Sequence, residues 1–432
     1  MSNSEEKNLF SRRRFLQWSQ AAMTAMGVAP FTGGAVKAFA AGTSSTKPAG
    51  THQDYYDKLG VTKIINAAGT LTVLTGSTMP PQVQQAVAEA AKHPVHLIEL
   101  QTKAGEYIAK RTQNEAAMIS CGAASALSLI TAACVQAANG CKPSDIPQNV
   151  ILNNLKNEVI IQKTHRSNYD HSMYLCGIKF VEIETLDEYK AAFGPNTVMT
   201  HYLNSYPGKI GHQDWLDIAH QHNIPCNVDA AAEIPPISNL WNFTKMGFDT
   251  VCFSGGKGMR GPQNAGLLLG KKRLIDFATQ NNDPFEGVGR GMKIAKEQIV
   301  GMVAAVDWVL EQTDAGLAAE ANQRIDVITR HIKNVPTMKT NTYMPPLADH
   351  TPTLEMKFDP TVLGITAKEV QARLRALKPA IELNGASTGR PTANGADAMD
   401  SISVETWMLQ PGEDEIVGRE LRKALMSGKA KA

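Results

Sequence analysis

This sequence carries few of the features that mark a protein for nucleic acid or for life inside a membrane. Its 43 Lys and Arg against 41 Asp and Glu leave a formal charge of +2. The basic residues are dispersed after the N-terminus, without the concentrated tract that RNA or DNA binding needs. Past the first 41 residues no run of about twenty uncharged apolar residues occurs, so no later membrane span is expected. No internal repeat is visible. The six cysteines include no close pair with metal-ligand spacing. What remains is a chain of 432 residues, 43% hydrophobic, long enough for large cores and two domains.

The N-terminus reads as an address. Ser11-Arg12-Arg13-Arg14-Phe15-Leu16 is a twin-arginine pattern, a weakly apolar stretch follows from Trp18, and Ala38-Phe39-Ala40 has the small-x-small form of a cleavage site. Residues 1–41 are therefore expected to be an export signal and 42–53 a linker, placing the mature protein in the periplasm by way of the twin-arginine machinery. In that compartment the cysteines are expected as buried thiols, with one disulfide left open.

Along the mature chain, strand-like apolar runs alternate with helical segments. Strands are expected at 116–120, 158–162, 180–184, 197–203 and 224–228, and helices at 82–92, 214–222 and from 122 to about 138. Such alternation predicts a mostly parallel sheet between helices, with ligands gathered at the carboxyl ends of the strands. Residues 54–290 are expected to form this large domain, and 291–432 a smaller C-terminal α/β domain.

The chain is organised around residues 250–270. An apolar run delivers Ser254, Gly255, Gly256, Lys257 and Gly258 into a turn, and a second apolar run follows. The glycines are expected to clear side chains away so that a large flat group can reach both backbone and amine. A lysine held between apolar strands suits Schiff-base chemistry, which needs a partly deprotonated amine; a hairpin with an exposed lysine has the same pattern. Three further features sit at expected strand ends. Gly122, Ala123 and Ala124 open a helix with free backbone N–H groups, as an anion cradle or simply for close packing. Asp229 closes an apolar run and would be buried, in need of a cation, unless it only caps a turn. His165 could stack on a flat ligand or be an ordinary loop histidine; with Asp170 and His171 it matches no metal-ligand spacing, so no metal is expected.

An anion cradle, a stacking ring, a carboxylate for a ring nitrogen and a Schiff-base lysine, in that order, are what pyridoxal 5′-phosphate requires. The motifs INAAGT at 65–70, SCGAASAL at 120–127, NVDAAAE at 227–233 and SGGKGMRGPQNAGLLLG at 254–270 resemble those of fold type I pyridoxal-phosphate enzymes. Within that class they are most similar to the branch of L-seryl-tRNA(Sec) selenium transferase and D-glucosaminate-6-phosphate ammonia-lyase. The resemblance implies that Lys257 carries the cofactor, Asp229 pairs with the pyridine nitrogen and His165 stacks on the ring. It also implies that Gly122, Ala123 and Ala124 hold the phosphate with help from Ser254, and that the protein is a homodimer or larger assembly. Arg260 lies inside the matching motif with its role open among phosphate, substrate and a neighbouring subunit. Arg390, in a polar loop expected over 384–400, is a candidate for a substrate carboxylate or a solvated loop residue.

Loss of the Cα proton to Lys257 is common to several outcomes. The resemblance favours β-elimination, an ammonia-lyase or dehydratase giving an oxo acid from an amino acid or amino sugar acid. A racemase or epimerase, an aminotransferase and a non-enzymatic periplasmic scaffold are the alternatives. An RNA substrate is not expected from so mild a charge.

Overall fold

In a computed structural model, residues 54–387 and 399–428 are described. Twelve strands carry the architecture among them: β1 (Ile64–Ala67), β2 (Ala116–Ser120), β3 (Glu158–Gln162), β4 (Lys179–Ile183), β5 (Thr197–Leu203), β6 (Cys226–Asp229), β7 (Thr250–Ser254), β8 (Gly266–Gly270), β9 (Lys339–Tyr343), β10 (Thr353–Phe358), β11 (Ala380–Ser387) and β12 (Asp400–Glu405). The short helix Tyr55–Leu59 has no buried residue.

Seven strands form one sheet in the order β2-β8-β7-β6-β5-β3-β4. Its pairings are parallel from β7 through β6, β5 and β3 to β4, whereas β8 runs antiparallel to both β2 and β7. Because side chains alternate across a strand, an apolar run buried on both faces feeds two cores. Val251, Phe253, Leu267 and Leu269 enter the core under helices Leu97–Arg111, His212–Gln221 and Lys296–Leu310. Cys252 and Leu268 point the other way, beneath helices Gly122–Asn139 and Lys272–Asn281. The first of these two helices is apolar all round, long enough by composition to cross a membrane, yet 67% of it is buried as a core helix.

A second sheet of five strands, β1-β11-β12-β10-β9, packs its own core with helices Asp314–Ile332, Ala367–Arg375 and Glu413–Leu425. Two segments cross the sequence boundary drawn at 290. β1 pairs in parallel with β11, placing Ile65 and Ala67 in the C-terminal core. Helix Lys296–Leu310 sends Ile299, Met302, Val306 and Val309 into the core of the seven-stranded sheet.

The first part of the loop expected over 384–400 is strand instead, because β11 continues through Ser387, pairing Asn384 with Ser403 and Ser387 with Ser401 across an irregularity. All six cysteines are free, so no disulfide joins any pair of them.

Candidate active site

The carboxyl edge of the seven-stranded sheet gathers most of the residues singled out above. Leu203, at the end of β5, is in register with Asp229 at the end of β6, and Asp229 with Cys252 on β7. Beyond Cys252, the Ser254 N–H donates to the Ala231 carbonyl at 3.3 Å, and Ser254 pairs with Gly266 on β8. Gly266 in turn lies against the start of helix Gly122–Asn139, so closely that a Cβ there would sit 2.3 Å from the Gly122 carbonyl carbon. Gly122, Ser254, Asp229 and the Leu203 backbone thus form one continuous rim.

Asp229 is 3% exposed, and its Oδ1 accepts the Ala231 N–H at 2.9 Å. Burial pushes its carboxyl above the usual range, while that N–H, the charge of Lys257 and the Cys252 thiol pull the other way. A buried carboxylate with so few donors is stabilised by an added cation. Lys257 is half-buried in the turn that follows β7.

The glycines of that turn serve a different end from the one expected. They are filled by the protein's own backbone: a Cβ on Gly258 would stand 1.7 Å from the Ile234 carbonyl oxygen, and one on Gly256 2.4 Å from the Gln263 Cα. The open glycine on the rim is Gly122, at φ +83°, where a Cβ would meet nothing within 4 Å. Past it the first N–H groups of the helix have no carbonyl to bond, and in the same turn the Ser125 hydroxyl is buried without a partner. Free space, unbonded donors and an orphaned hydroxyl fit a bound phosphate group.

His165 ends a short 3-10 turn, Lys163–His165, after β3. Its Nδ1 accepts the Leu203 N–H at 3.3 Å and its ring meets the edge of Tyr202 at 4.5 Å. It belongs to the rim, but its ring is fully enclosed, with Nε2 lacking a partner, so the stacking face expected of it is closed here. Burial lowers its pKa to about 4, which keeps the ring neutral. Asp170 is tied to Arg166 and to the Ser167 N–H rather than to His165.

Arg260 follows Lys257 in the same turn, its N–H donating to the Lys257 carbonyl at 2.8 Å. At φ +51° it donates from Nε to the Thr78 carbonyl at 2.9 Å and lies 5.5 Å over the Trp308 ring, bracing the turn. Arg390 lies outside the described residues.

Three further carboxyls, Glu233, Asp349 and Glu405, carry no local signal in the sequence. Glu233 accepts from Ser205 Oγ and the Ala348 N–H, both at 3.2 Å. Asp349 accepts from the Thr70 hydroxyl at 3.3 Å. Glu405 accepts from Trp407 Nε1 at 3.2 Å and from Asn384, and burial beside Asp349 raises it to about 7. The available signal was Thr70, the last residue of INAAGT, whose hydroxyl needed a partner.

A model of the class-V aminotransferases matches residues 182–361. The chain is 26% identical over 339 residues to D-glucosaminate-6-phosphate ammonia lyase of Salmonella typhimurium, covering 76% of this chain and 88% of that protein. It is 25% identical over 392 residues to 5′-C-glycyluridine monooxygenase-decarboxylase of a Streptomyces species, covering 87% and 93%. A solved structure of D-glucosaminate-6-phosphate ammonia-lyase superposes with a TM-score of 0.72 at 24% identity, over 87% of this chain and 99% of that one. With the rim described above, these likenesses give the chain the fold type I architecture of the class-V aminotransferases, and make it an enzyme whose cofactor is pyridoxal 5′-phosphate.

Proposed function

We propose that this enzyme is a lyase that eliminates water from a β-hydroxylated amino acid or amino sugar acid, releasing an oxo acid and ammonia. The observation that carries the reading is the convergence of Lys257, buried Asp229 and the open Gly122 helix start on one sheet edge. Likeness to an ammonia lyase over most of both chains supports it.

Bound pyridoxal 5′-phosphate supplies an aldehyde for the substrate amine and a cationic ring that draws electrons from Cα. The protein's share is positioning and proton transfer. The N–H groups of Gly122, Ala123 and Ala124, with the Ser254 hydroxyl, would hold the phosphate at the positive end of the helix dipole. Asp229 would hold a proton on the ring nitrogen by staying ionised beside it. Lys257 Nζ would take the Cα proton, and the β-hydroxyl would leave as water after gaining a proton.

The twin-arginine pattern at Arg12-Arg13 supports export to the periplasm, which argues against a sugar phosphate as substrate. Exposed apolar side chains at Leu71, Val73, Val95 and Ile98 support a homodimer or larger homo-oligomer.

Purified wild type is expected to be yellow and to be fixed covalently at Lys257 by borohydride, whereas Lys257→Ala is not fixed and loses at least about 10³-fold in activity. With a panel of D- and L-amino acids and amino sugar acids in heavy water, ammonia with an oxo acid is expected. A deuterated, inverted amino acid would instead make it a racemase, and dependence on an added oxo acid an aminotransferase.

A further inference from the structure

The amino edge of the seven-stranded sheet, opposite the rim, holds a second group of chemically able side chains. His220 lies in the last turn of helix His212–Gln221, Cys226 opens β6, and Asp249 stands immediately before β7. Local structure brings the three together. Asn223 takes φ +57° and the Ile224 N–H returns to the Ala219 carbonyl at 3.0 Å, so the chain turns sharply out of the helix and enters β6 beside His220. β6 and β7 are parallel neighbours, and Asp249 is tied to Cys226 twice. Its N–H donates to the Cys226 carbonyl at 2.9 Å, and its Oδ2 accepts the Cys226 N–H at 2.8 Å.

The same Oδ2 stands 3.1 Å from His220 Nε2. With the Cys226 thiol added, one ligand atom from each residue lies within 4.8 Å of the other two. Neighbouring nitrogen and oxygen ligands on a tetrahedral zinc ion are about 3.3 Å apart, because each bond is about 2.0 Å long. The histidine and the carboxylate are therefore already spaced as two corners of such a site. The sulfur has an outer partner as well: the Thr200 hydroxyl donates to Cys226 Sγ at 3.2 Å, a contact that favours thiolate.

We propose that His220, Cys226 and Asp249 form a binding site for a divalent transition metal, with zinc the best match to one nitrogen, one sulfur and one oxygen donor. Magnesium and calcium take oxygen ligands and do not suit the set. On binding, the metal accepts a lone pair from each ligand atom and the thiol proton leaves to solvent, with nothing oxidised or reduced. Thiolate and carboxylate then offset the two positive charges. Cys226 is fully buried, whereas the His220 side chain is 43% exposed and lines an open groove with Asp249 and Asn223, so a fourth position faces water. Cys226 and Asp229 are the two ends of β6, about 10 Å of strand apart. The metal thus clips helix His212–Gln221 to the entries of β6 and β7, away from the cofactor rim.

The test uses full-length holoenzyme, treated with chelator and titrated with Co²⁺, followed by difference absorption. One Co²⁺ per chain is expected, with the sulfur-to-metal charge-transfer band of a thiolate ligand, displaced by Zn²⁺. Cys226→Ser is expected to abolish the band. His220→Ala, at an exposed position that the fold does not need, is expected to weaken binding at least about tenfold. Zn²⁺ is expected to raise the urea midpoint of wild type and to leave that of His220→Ala unmoved. Absence of saturable cobalt binding, a band that survives Cys226→Ser, or an affinity unchanged in His220→Ala overturns the proposal. Should Cys226→Ser not fold, the affinity of His220→Ala decides it.

Discussion

The turn at Gly255 to Gly258 and the helix start at Gly122 look alike in sequence, small residues next to a strand end, but they are built for opposite purposes. The turn is packed shut: its glycines exist because Ile234, Gln263, Ala265 and Met302 occupy the places where Cβ atoms would go. At Gly122 the same position faces nothing. Glycine near the candidate lysine thus marks the rigidity of the mount, and the open space lies two strands away.

Substitutions can break this contrast. Gly258→Ala would drive a methyl against the Ile234 carbonyl and is expected to cost about 3 kcal/mol or more, read as a lower urea midpoint. A third glycine sharpens it. Gly69 is packed against Glu405, where a Cβ would stand 2.3 Å from Oε2. Glu405→Gln keeps that shape and removes the charge. The folded carboxyl holds its proton more tightly than the ordinary 4.5, up to about 7. The wild type should therefore lose stability as pH rises from about 4.5 to about 7 and then level off, by at most roughly 3 kcal/mol. The Gln variant should show a flatter profile when unfolded in urea across that range. Gly122→Ala is expected to cost only about 1–2 kcal/mol from its positive φ, but to weaken pyridoxal 5′-phosphate binding by tenfold or more in a spectral titration. Arg260→Lys, which loosens only the brace on Thr78 and Trp308, is expected to lower stability by about 1 kcal/mol with the cofactor still bound.

What the sequence made legible follows from where its signals are local. Lys257, Asp229 and Gly122 each sit at the end of an apolar run, so the period that predicts a buried strand also predicts its edge. The mostly parallel sheet was readable for the same reason. Asp349 and Glu405 were not, because a carboxylate in an irregular loop or on a half-polar strand looks like any solvated one until distant chain is brought to it; Thr70 and Asp349 are 279 positions apart. The pairing of β1 with β11 is likewise not readable, because partner choice is a long-range matter. The amphipathic helices Asn239–Met246 and Lys272–Asn281 carry a weak sequence signal, being short and rich in charged or polar residues.

The antiparallel strand β8 has a mechanical consequence. Since it returns immediately beside β7, with Ser254 opposite Gly266, the excursion that holds the lysine is clamped at both ends by one ladder and cannot drift with the neighbouring helices. On the proposed function, the amine would swing on its own four-carbon arm from a stationary hinge, free to leave its bond and come back to the same spot every cycle.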